Sequence, residues 1–292
     1  MNARKPPSVQ AQPDSEGKWL VELLRAALRQ RNEDNQAARA AEGKALRTSV
    51  YASELGEACD RKMHFRLTDT PPSDPIGDDS LMNFFVGSSI EDAFSVLLSQ
   101  IPGMKLHQQV RGDILTASTK VAGKIDFLLE ATDPTQLEAW LAERGVIIDI
   151  PARSLIECKS TTSFSAKMMY EKNEKGQESH RYQALAYVHA SRIGALTVEG
   201  SDEPLPPFDS ALLLYVVKDA KKGSAPIHAF PVNYSEIHAE AALRRAEDRW
   251  RKAKGGAPLP PIPQGYEWKK FPCAWCDHRA TCWSGRAESG TA

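Results

Sequence analysis

Long apolar runs are missing from this 292-residue chain. No stretch of it approaches the roughly 18 consecutive apolar residues that span a bilayer. Its longest strand-like run, Ala211 to Val217 (ALLLYVV), has only the length of a core strand. The opening residues, MNARKPPSVQAQPDSEG, lack the apolar centre of a secretory signal. No membrane partner is therefore expected, and the default location is cytoplasmic. An excess of either charge is missing as well, with 37 Lys plus Arg against 38 Asp plus Glu. That balance argues against a protein that coats nucleic acid by bulk charge. It leaves room for one that gathers positive charge along a groove and keeps acids for metal. Cysteine is scarce, five in all. In a reducing compartment five thiols read as ligands, nucleophiles or core residues rather than disulfides.

What is present suits a globular chain, with 41% hydrophobic and 26% charged residues. Residues 1–16, rich in Pro, Gln and Ser, are expected to be disordered, as are 285–292. Residues 17–50 form an expected N-terminal helical segment, with Trp19, Leu20, Leu23, Leu24, Ala27 and Leu28 at helical spacing. The main domain is expected over 51–284. A second apolar stripe runs from Leu81 to Ile101 through Phe84, Phe85, Ile90, Phe94, Leu97 and Leu98. The period then shortens: Met104–Arg111 and Thr119–Glu130 read as strands separated by a Gly-Asp turn. Residues 133–145 read as an inserted helix, and Val146–Ile150 and Ser154–Lys159 as further strands. Helices are expected at Phe164–Asn173 and Glu178–Arg192, strands at Ala211–Val217 and Ile227–Val232. A charged helix over Tyr234–Lys254, most simply a solvated face, precedes a Pro-rich connector and a cysteine-rich end. The order makes a mixed α/β domain.

The chemistry gathers in short pieces. In SLIECKS, strand alternation turns Glu157 and Lys159 to one face and Cys158 to the other. A carboxylate beside an ammonium makes sense where a divalent cation and an anion meet. Asp126, in GKIDFLLE, offers a second carboxylate from another strand, and two such strands can hold a metal that activates water toward a phosphodiester. Gln183 and Tyr187, in HRYQALAYVHA, share a helix face. Gly87 and Glu91, in VGSSIEDAF, do the same and add a third carboxylate. Asp149, in VIIDIP, lies closer in sequence to Glu157 and rivals Asp126 as a ligand.

Together these residues resemble the RecB-like branch of the PD-(D/E)xK nucleases, which reads GxxxH or GxxxE, GxxD, ExK and QxxxY in that order. Here the pieces are Gly87 with Glu91, Gly123 with Asp126, Glu157 with Lys159, and Gln183 with Tyr187. Each alone is common; the ordered set of four is not. The resemblance implies a restriction-endonuclease-like core, a central mixed sheet flanked by helices. It implies Mg or Mn held by Asp126 and Glu157, with Glu91 and a backbone oxygen of Cys158. Lys159 would position water, and Gln183 and Tyr187 would contact DNA or support the site. Two features depart from the family: Glu91 stands where many relatives have His, and the gap from Asp126 to Glu157 is long.

FPCAWCDHRATCW supplies Cys273, Cys276 and Cys282, three thiols of a four-ligand set. Cys59, far upstream, can complete it; so can Cys158, whose strand neighbours belong to the carboxylate–lysine set. One cysteine before the nuclease motifs and three after resembles the iron–sulfur nucleases, among them AddB-type helicase–nucleases and CRISPR-associated exonucleases. That resemblance implies a 4Fe–4S cluster on Cys59, Cys273, Cys276 and Cys282, joining the N- and C-terminal segments. Four thiolates also suit zinc, and His278 has a spacing that allows it to replace one. The implied activity is exonucleolytic hydrolysis of single-stranded DNA ends, with recombination or CRISPR-adaptation proteins as partners. The alternatives are a non-cleaving DNA-binding adaptor that keeps the fold, and a protein-interaction module with structural zinc.

Overall fold

The computed structural model describes residues 18–41, 47–74, 76–171, 176–198, 203–222 and 225–284. The tails expected to be disordered, 1–16 and 285–292, lie outside these residues. The chain divides into two compact units, Met1–Ala45 with Ile76–Phe85, and Leu46–Pro75 with Val86–Ala292. In the first unit, helix α1 (Lys18–Ala41) is joined to the start of α3 (Asp78–Ser99) by an Arg29–Asp78 ion pair of 2.7 Å. The apolar stripe of α1 is largely bare, with Leu20, Leu23 and Leu24 exposed.

The second unit is an α/β layer structure on a seven-stranded mixed sheet. Its strands are β1 (Val50–Tyr51), β2 (Met104–Leu115), β3 (Lys120–Ala131), β4 (Arg153–Thr161), β5 (Leu196–Val198), β6 (Ser210–Val217) and β7 (Ile227–Pro231). They lie in the order β5-β2-β3-β4-β6-β7, with β1 parallel to β3. β2 and β3 form a long antiparallel hairpin, β4 is antiparallel to β3, and β6 is parallel to β4. Both sheet faces are covered. One face packs Leu155, Ile125, Leu213 and Tyr215 against α6 (Glu178–Arg192). The other packs Phe127, Leu129, Ile156 and Cys158 against Ile90, Phe94 and Leu98 of α3.

Several expected elements take a different form. Gly112 and Asp113 do not turn the chain; Gly112 pairs with Gly123 inside the hairpin. The reversal comes later, where Thr116 N–H donates to Thr119 O at 3.1 Å. Glycine suits that strand position because a methyl there would lie 3.0 Å from Leu196 Cδ1 and 3.1 Å from Thr197 O of β5. Val146–Ile150 is irregular rather than a strand, with Ile147 97% and Ile148 60% exposed. Both sides of β4 are already taken by β3 and β6, so this apolar run cannot pair beside the strand it leads into. The inserted helix does form, as α4 (Pro134–Ala142), with Asp133 capping it through Gln136 N–H at 3.0 Å.

The charged helix α7 (Glu236–Lys254) is not simply a solvated face. It buries Ala239, Ala242, Leu243, Ala246 and Ala253, at helical spacing, together with Arg249. Among the described residues α3 is long and apolar enough by length and composition to cross a membrane, with a mean hydropathy of 1.3 over 18 residues. Small polar residues interrupt its apolar ones, so it shows no continuous run.

Candidate functional site: a carboxylate fork and a cysteine cavity

The pairing of β3 with β4 fixes where the acids stand. It runs from Glu130–Arg153 to Phe127–Ile156 and ends there, while β4 continues on β6 as far as Thr161. The next rung would set Asp126 against Glu157. β3 and β4 therefore part at the position that carries the two carboxylates. Asp126 reaches across the opening, and its Oδ2 accepts the Cys158 N–H at 2.8 Å.

Opposite Asp126, on the other side of β3, the sheet is also irregular. Gln108 pairs with Phe127 and Val110 with Ile125, but Gln109 between them has φ of +56°. Few non-glycine residues occupy that region, and those that do concentrate at functional sites. The side-chain alternation reverses at the same level. Ile125 belongs to the α6 face and Phe127 to the α3 face, although residues two apart on a regular strand share a face. Leu106 and Val110 of β2 are divided in the same way. The distortion also frees the Gln109 side chain to donate through Nε2 to Glu91 Oε2 at 2.8 Å. α3 thus brings Glu91 in from one layer while β3 and β4 supply the other acids.

Lys159 closes the set. Its Nζ bonds Glu157 Oε1 and lies 3.6 Å from Asp126 Oδ2. Glu157 is fully buried, and burial pushes its carboxyl up to about 7. Lys159 opposes that rise, while Asp126 and Glu91 add to it. Burial likewise raises Glu91, with Asp126 as the next cause. Burial works against the Lys159 ammonium, yet Glu157 and Asp126 outweigh it and hold the proton more firmly than usual. Three acids around one locked ammonium make a site short of positive charge. The second oxygen of Glu157, Oε2, is buried without a hydrogen-bond partner among the described residues. An unpaired buried carboxylate oxygen is costly, and an oxygen-ligated divalent cation is one group that satisfies it. The residues present therefore fit Mg or Mn. As they stand, no three His, Cys, Asp or Glu side chains among the described residues are gathered as a ready ion-binding group. At the fork, Lys159 occupies the acids instead.

Gln183 and Tyr187 lie on the sheet side of α6, 5% and 0% exposed. The Tyr187 hydroxyl makes no hydrogen bond of good geometry among the described residues, though the Gln183 side chain and the Lys124 backbone lie close. It rests on Gly123, where a methyl would come within 1.9 Å of it. That contact explains why a glycine precedes Asp126 by three. Gly87 is not forced in this way, since a methyl there would meet only Ser160 Oγ at 3.7 Å. Asp149 is exposed in the irregular segment before β4 and has no part in the fork. Gln109 is the member that the sequence does not reveal.

The cysteines separate cleanly. Cys158 is buried with Phe127, Leu129 and Ile156, and burial lifts its thiol to about 12. Cys59, Cys273, Cys276 and Cys282 line one cavity together. Cys59 caps α2 (Asp60–Leu67), its sulfur accepting Lys62 N–H at 3.4 Å. Cys273 opens a 3-10 turn over Cys273–Trp275, and Cys282 sits in α8 (Arg279–Trp283). Burial raises the thiols of Cys59, Cys273 and Cys276. Arg279 Nε and Trp283 Nε1, from two residues that also line the cavity, are buried without partners of good geometry among the described residues. The Cys273 thiol lies beside the indole. Four thiols with spare N–H donors around them fit a sulfur-rich anionic group. His278 is absent from the lining; it is 2% exposed and packs on Phe65 at 5.3 Å between ring centroids.

Ion pairs tie the two cysteine-bearing segments together. Arg66 bonds Asp277 at 2.9 Å and Arg279 bonds Asp74 at 2.8 Å. Arg61 donates to Pro260 O at 2.8 Å and to Cys282 O at 3.2 Å.

No family model matches the chain, and no curated protein does. Among solved structures, that of SSO0001 is similar over 84% of this chain and 88% of its own, at 11% identity and a TM-score of 0.42. A likeness of that size is too slight to carry an argument.

Proposed function

We propose that this chain is a metal-dependent DNA nuclease of the PD-(D/E)xK kind whose N- and C-terminal segments are clasped by a 4Fe–4S cluster. One observation carries the nuclease reading: Asp126 and Glu157 stand at the first open rung between β3 and β4, with the Lys159 ammonium between them. Asp126 and Glu157 would hold Mg or Mn, joined by Glu91 and the Cys158 backbone oxygen as the family resemblance implies. When bound, the ion would lower the pKa of water and offset charge on the phosphoryl oxygens.

The protein's own groups do the rest. Gln109 steadies Glu91 toward the other acids. Lys159, held protonated by its two carboxylates, supplies a fixed positive charge for a phosphate oxygen or an attacking hydroxide. Tyr187 and Gln183 back the strand that carries Asp126 and exclude water from behind it. The substrate in this reading is DNA with single-stranded ends, cut as an exonuclease in the cytoplasm, with recombination or CRISPR-adaptation proteins as partners.

The test is cleavage of end-labelled DNA with Mn, comparing the unaltered protein with Glu157→Ala and Lys159→Ala. Loss of product in both variants supports the assignment; equal cleavage by all three removes it. DNA binding that survives EDTA, with no product from the unaltered protein, would favour the non-cleaving adaptor. For the cysteine cavity, broad absorbance near ~400 nm with stoichiometric iron and sulfide separates a cluster from zinc.

A further inference from the structure

Along α6 the residues His180, Gln183 and Tyr187 follow one another at spacings of three and four, on the face turned to the sheet. The two ends of that stripe meet different strands. Tyr187 rests on Gly123 of β3, and His180 Nδ1 lies 2.8 Å from the Tyr215 hydroxyl of β6. β4, with Glu157 and Lys159, runs between β3 and β6. The helix therefore crosses over the fork, and Tyr215 is the register partner of Lys159. Gln183 and Tyr187 are closed off, whereas His180 at the start of the stripe is only half-buried. Its Nε2 has no hydrogen bond among the described residues and is not shut away from solvent. The chemistry of the fork leaves this imidazole unused.

The surroundings decide which ring nitrogen carries hydrogen. Between α5 (Ser163–Glu171) and α6, the Gln177 N–H donates to the Tyr215 oxygen at 2.9 Å. Gly176 suits that approach: its φ is +83°, and a methyl there would lie 2.6 Å from Leu213 Cδ1 and 3.1 Å from the same oxygen. Tyr215 is 1% exposed, so its own hydrogen needs an acceptor inside the protein. Nδ1 is the acceptor at hand, which puts the imidazole hydrogen on Nε2. Burial and the Lys159 charge lower the imidazole pKa to about 4, so the ring is neutral at ordinary pH. A second cation here would be drawn onto the acids, as Lys159 is. A neutral N–H stays available to an anion. With hydrogen on Nε2 the ring is a donor there and not a base.

We propose that His180, held in its Nε2–H tautomer by Tyr215, donates a hydrogen bond to a non-bridging phosphate oxygen of the bound DNA strand, beside Lys159. It is a substrate-binding group that supplies direction where Lys159 supplies charge. The inference rests on the nuclease reading for its phosphodiester, and one of its two readouts needs no cleavage.

The first readout is the histidine ring nitrogens of the isotope-labelled full-length protein, followed by NMR as oligothymidine is added in Ca, an ion that carboxylate oxygens also accept. The free protein is expected to carry the His180 proton on Nε2, and Tyr215→Phe to lose that preference. Oligothymidine is expected to move the Nε2 resonance and its proton while Nδ1 stays nearly unchanged. The second readout is kcat/KM with Mn. His180→Ala is expected to lower it by about 10- to 150-fold, the value of one hydrogen bond to a charged group. His180→Gln, whose amide N–H reaches near the place of Nε2, is expected to recover most of that loss; an amide cannot replace a base. A proton on Nδ1, an Nε2 unmoved by oligothymidine, or His180→Ala as active as the unaltered protein overturns the proposal. So does His180→Gln no better than His180→Ala, or an Nε2 that loses its proton in Ca and so becomes a ligand of the ion. Failure of the nuclease reading alone shows as absence of product from the unaltered protein with Mn, alongside an Nε2 that still responds to oligothymidine.

Discussion

The carboxylate fork and the cysteine cavity both assemble residues that lie far apart in the chain, and they do so by opposite means. In the fork, backbone register does the placing. Asp126 and Glu157 are neighbours because the rungs from Glu130–Arg153 to Phe127–Ile156 leave no other arrangement. The acids are then nearly or wholly closed off from water, with one ammonium between them. At the cavity the placing falls to side chains. Arg66–Asp277 and Arg279–Asp74 bridge the segments with both partners about a quarter to a third exposed. Exposed pairs of that kind contribute about 0–1 kcal/mol each. The fork is thus geometrically firm and short of positive charge, whereas the cavity is loosely tied and keeps buried N–H donors without partners among the described residues. A bound cation should change the charge balance of the first, and a bound cluster the rigidity of the second.

The largest expected effect falls on the fork. Glu157→Gln and Lys159→Ala should each lower cleavage by about a hundred- to a thousandfold, the first by removing a carboxylate that would hold the metal, the second by removing the positive charge aimed at the reacting phosphate. Glu157→Gln should leave the fold intact, because register rather than charge positions the strand. At the cavity the order reverses. Cys282→Ala should abolish iron and the absorbance near ~400 nm. It should also lower the thermal midpoint by about 5 °C or more, a loss of a few kcal/mol at ~2–4 °C for each. Cys158→Ala should keep the chromophore. If Cys158→Ala loses it and Cys282→Ala does not, the two cysteine environments have been exchanged.

Titration sharpens the contrast next. With its folded-state pKa raised to about 7, Glu157 is neutral in both states at pH below about 4.5. Between those values the unfolded chain gives up the proton and the folded chain keeps it. Stability therefore falls as pH rises, by at most about 1.4 kcal/mol per pH unit. His180 acts in the other direction. Burial, with Lys159 beside it, lowers its imidazole to about 4, so over about pH 4 to 6.5 its contribution grows with pH. The two slopes oppose each other in metal-free protein, and the difference between the unaltered chain and Glu157→Gln isolates the carboxyl. Urea midpoints in EDTA at pH 5, 6, 7 and 8 should show Glu157→Gln gaining relative stability as pH rises. Mn should shrink that gain at pH 8. A difference that does not change with pH would mean that the fork is wetter than its burial indicates.

A smaller effect tests packing behind the fork. Gly123→Ala places a methyl 1.9 Å from the Tyr187 hydroxyl and 2.9 Å from Ala52 Cβ, and should cost about 1–3 kcal/mol. Tyr187→Phe removes the nearest clashing atom and should restore part of that loss, a coupling readable in a double-mutant cycle. Gly87→Ala, with ordinary contacts, should be close to neutral. Equal costs at the two glycines would show that Tyr187 is not seated against β3 as described.

The parts of this arrangement that the sequence reveals are those that depend on local rules. Strand alternation turns Glu157 and Lys159 to one face, helical spacing pairs Gln183 with Tyr187, and cysteine spacing separates three thiols from the rest. What stays hidden depends on events between elements. Gln109 carries no mark of a left-handed conformation, since glutamine has no preference for it, and its tie to Glu91 requires α3 to cross β2. Val146–Ile150 has the composition of a strand, yet both places beside β4, which it leads into, are taken by β3 and β6. β5 is too short to show a period, and it pairs beside Gly112, where a side chain would crowd Leu196 and Thr197.

The smallest expected effect concerns the acid that sequence distance alone would favour over Asp126. Asp149 lies eight residues before Glu157, exposed in the irregular segment that precedes β4. Its carboxylate has water around it and no structural tie to the fork. Asp149→Ala should therefore leave cleavage within about twofold and stability within about 0.5 kcal/mol, as for surface substitutions generally. Asp126→Asn keeps the shape and an acceptor for Cys158 N–H but removes the charge, and should lose cleavage as Glu157→Gln does. The two variants measured side by side with Mn decide which acid faces the substrate. Activity that survives Asp126→Asn and vanishes in Asp149→Ala would mean that the segment before β4 folds over the fork when substrate binds. In that event register would no longer be what places the acids.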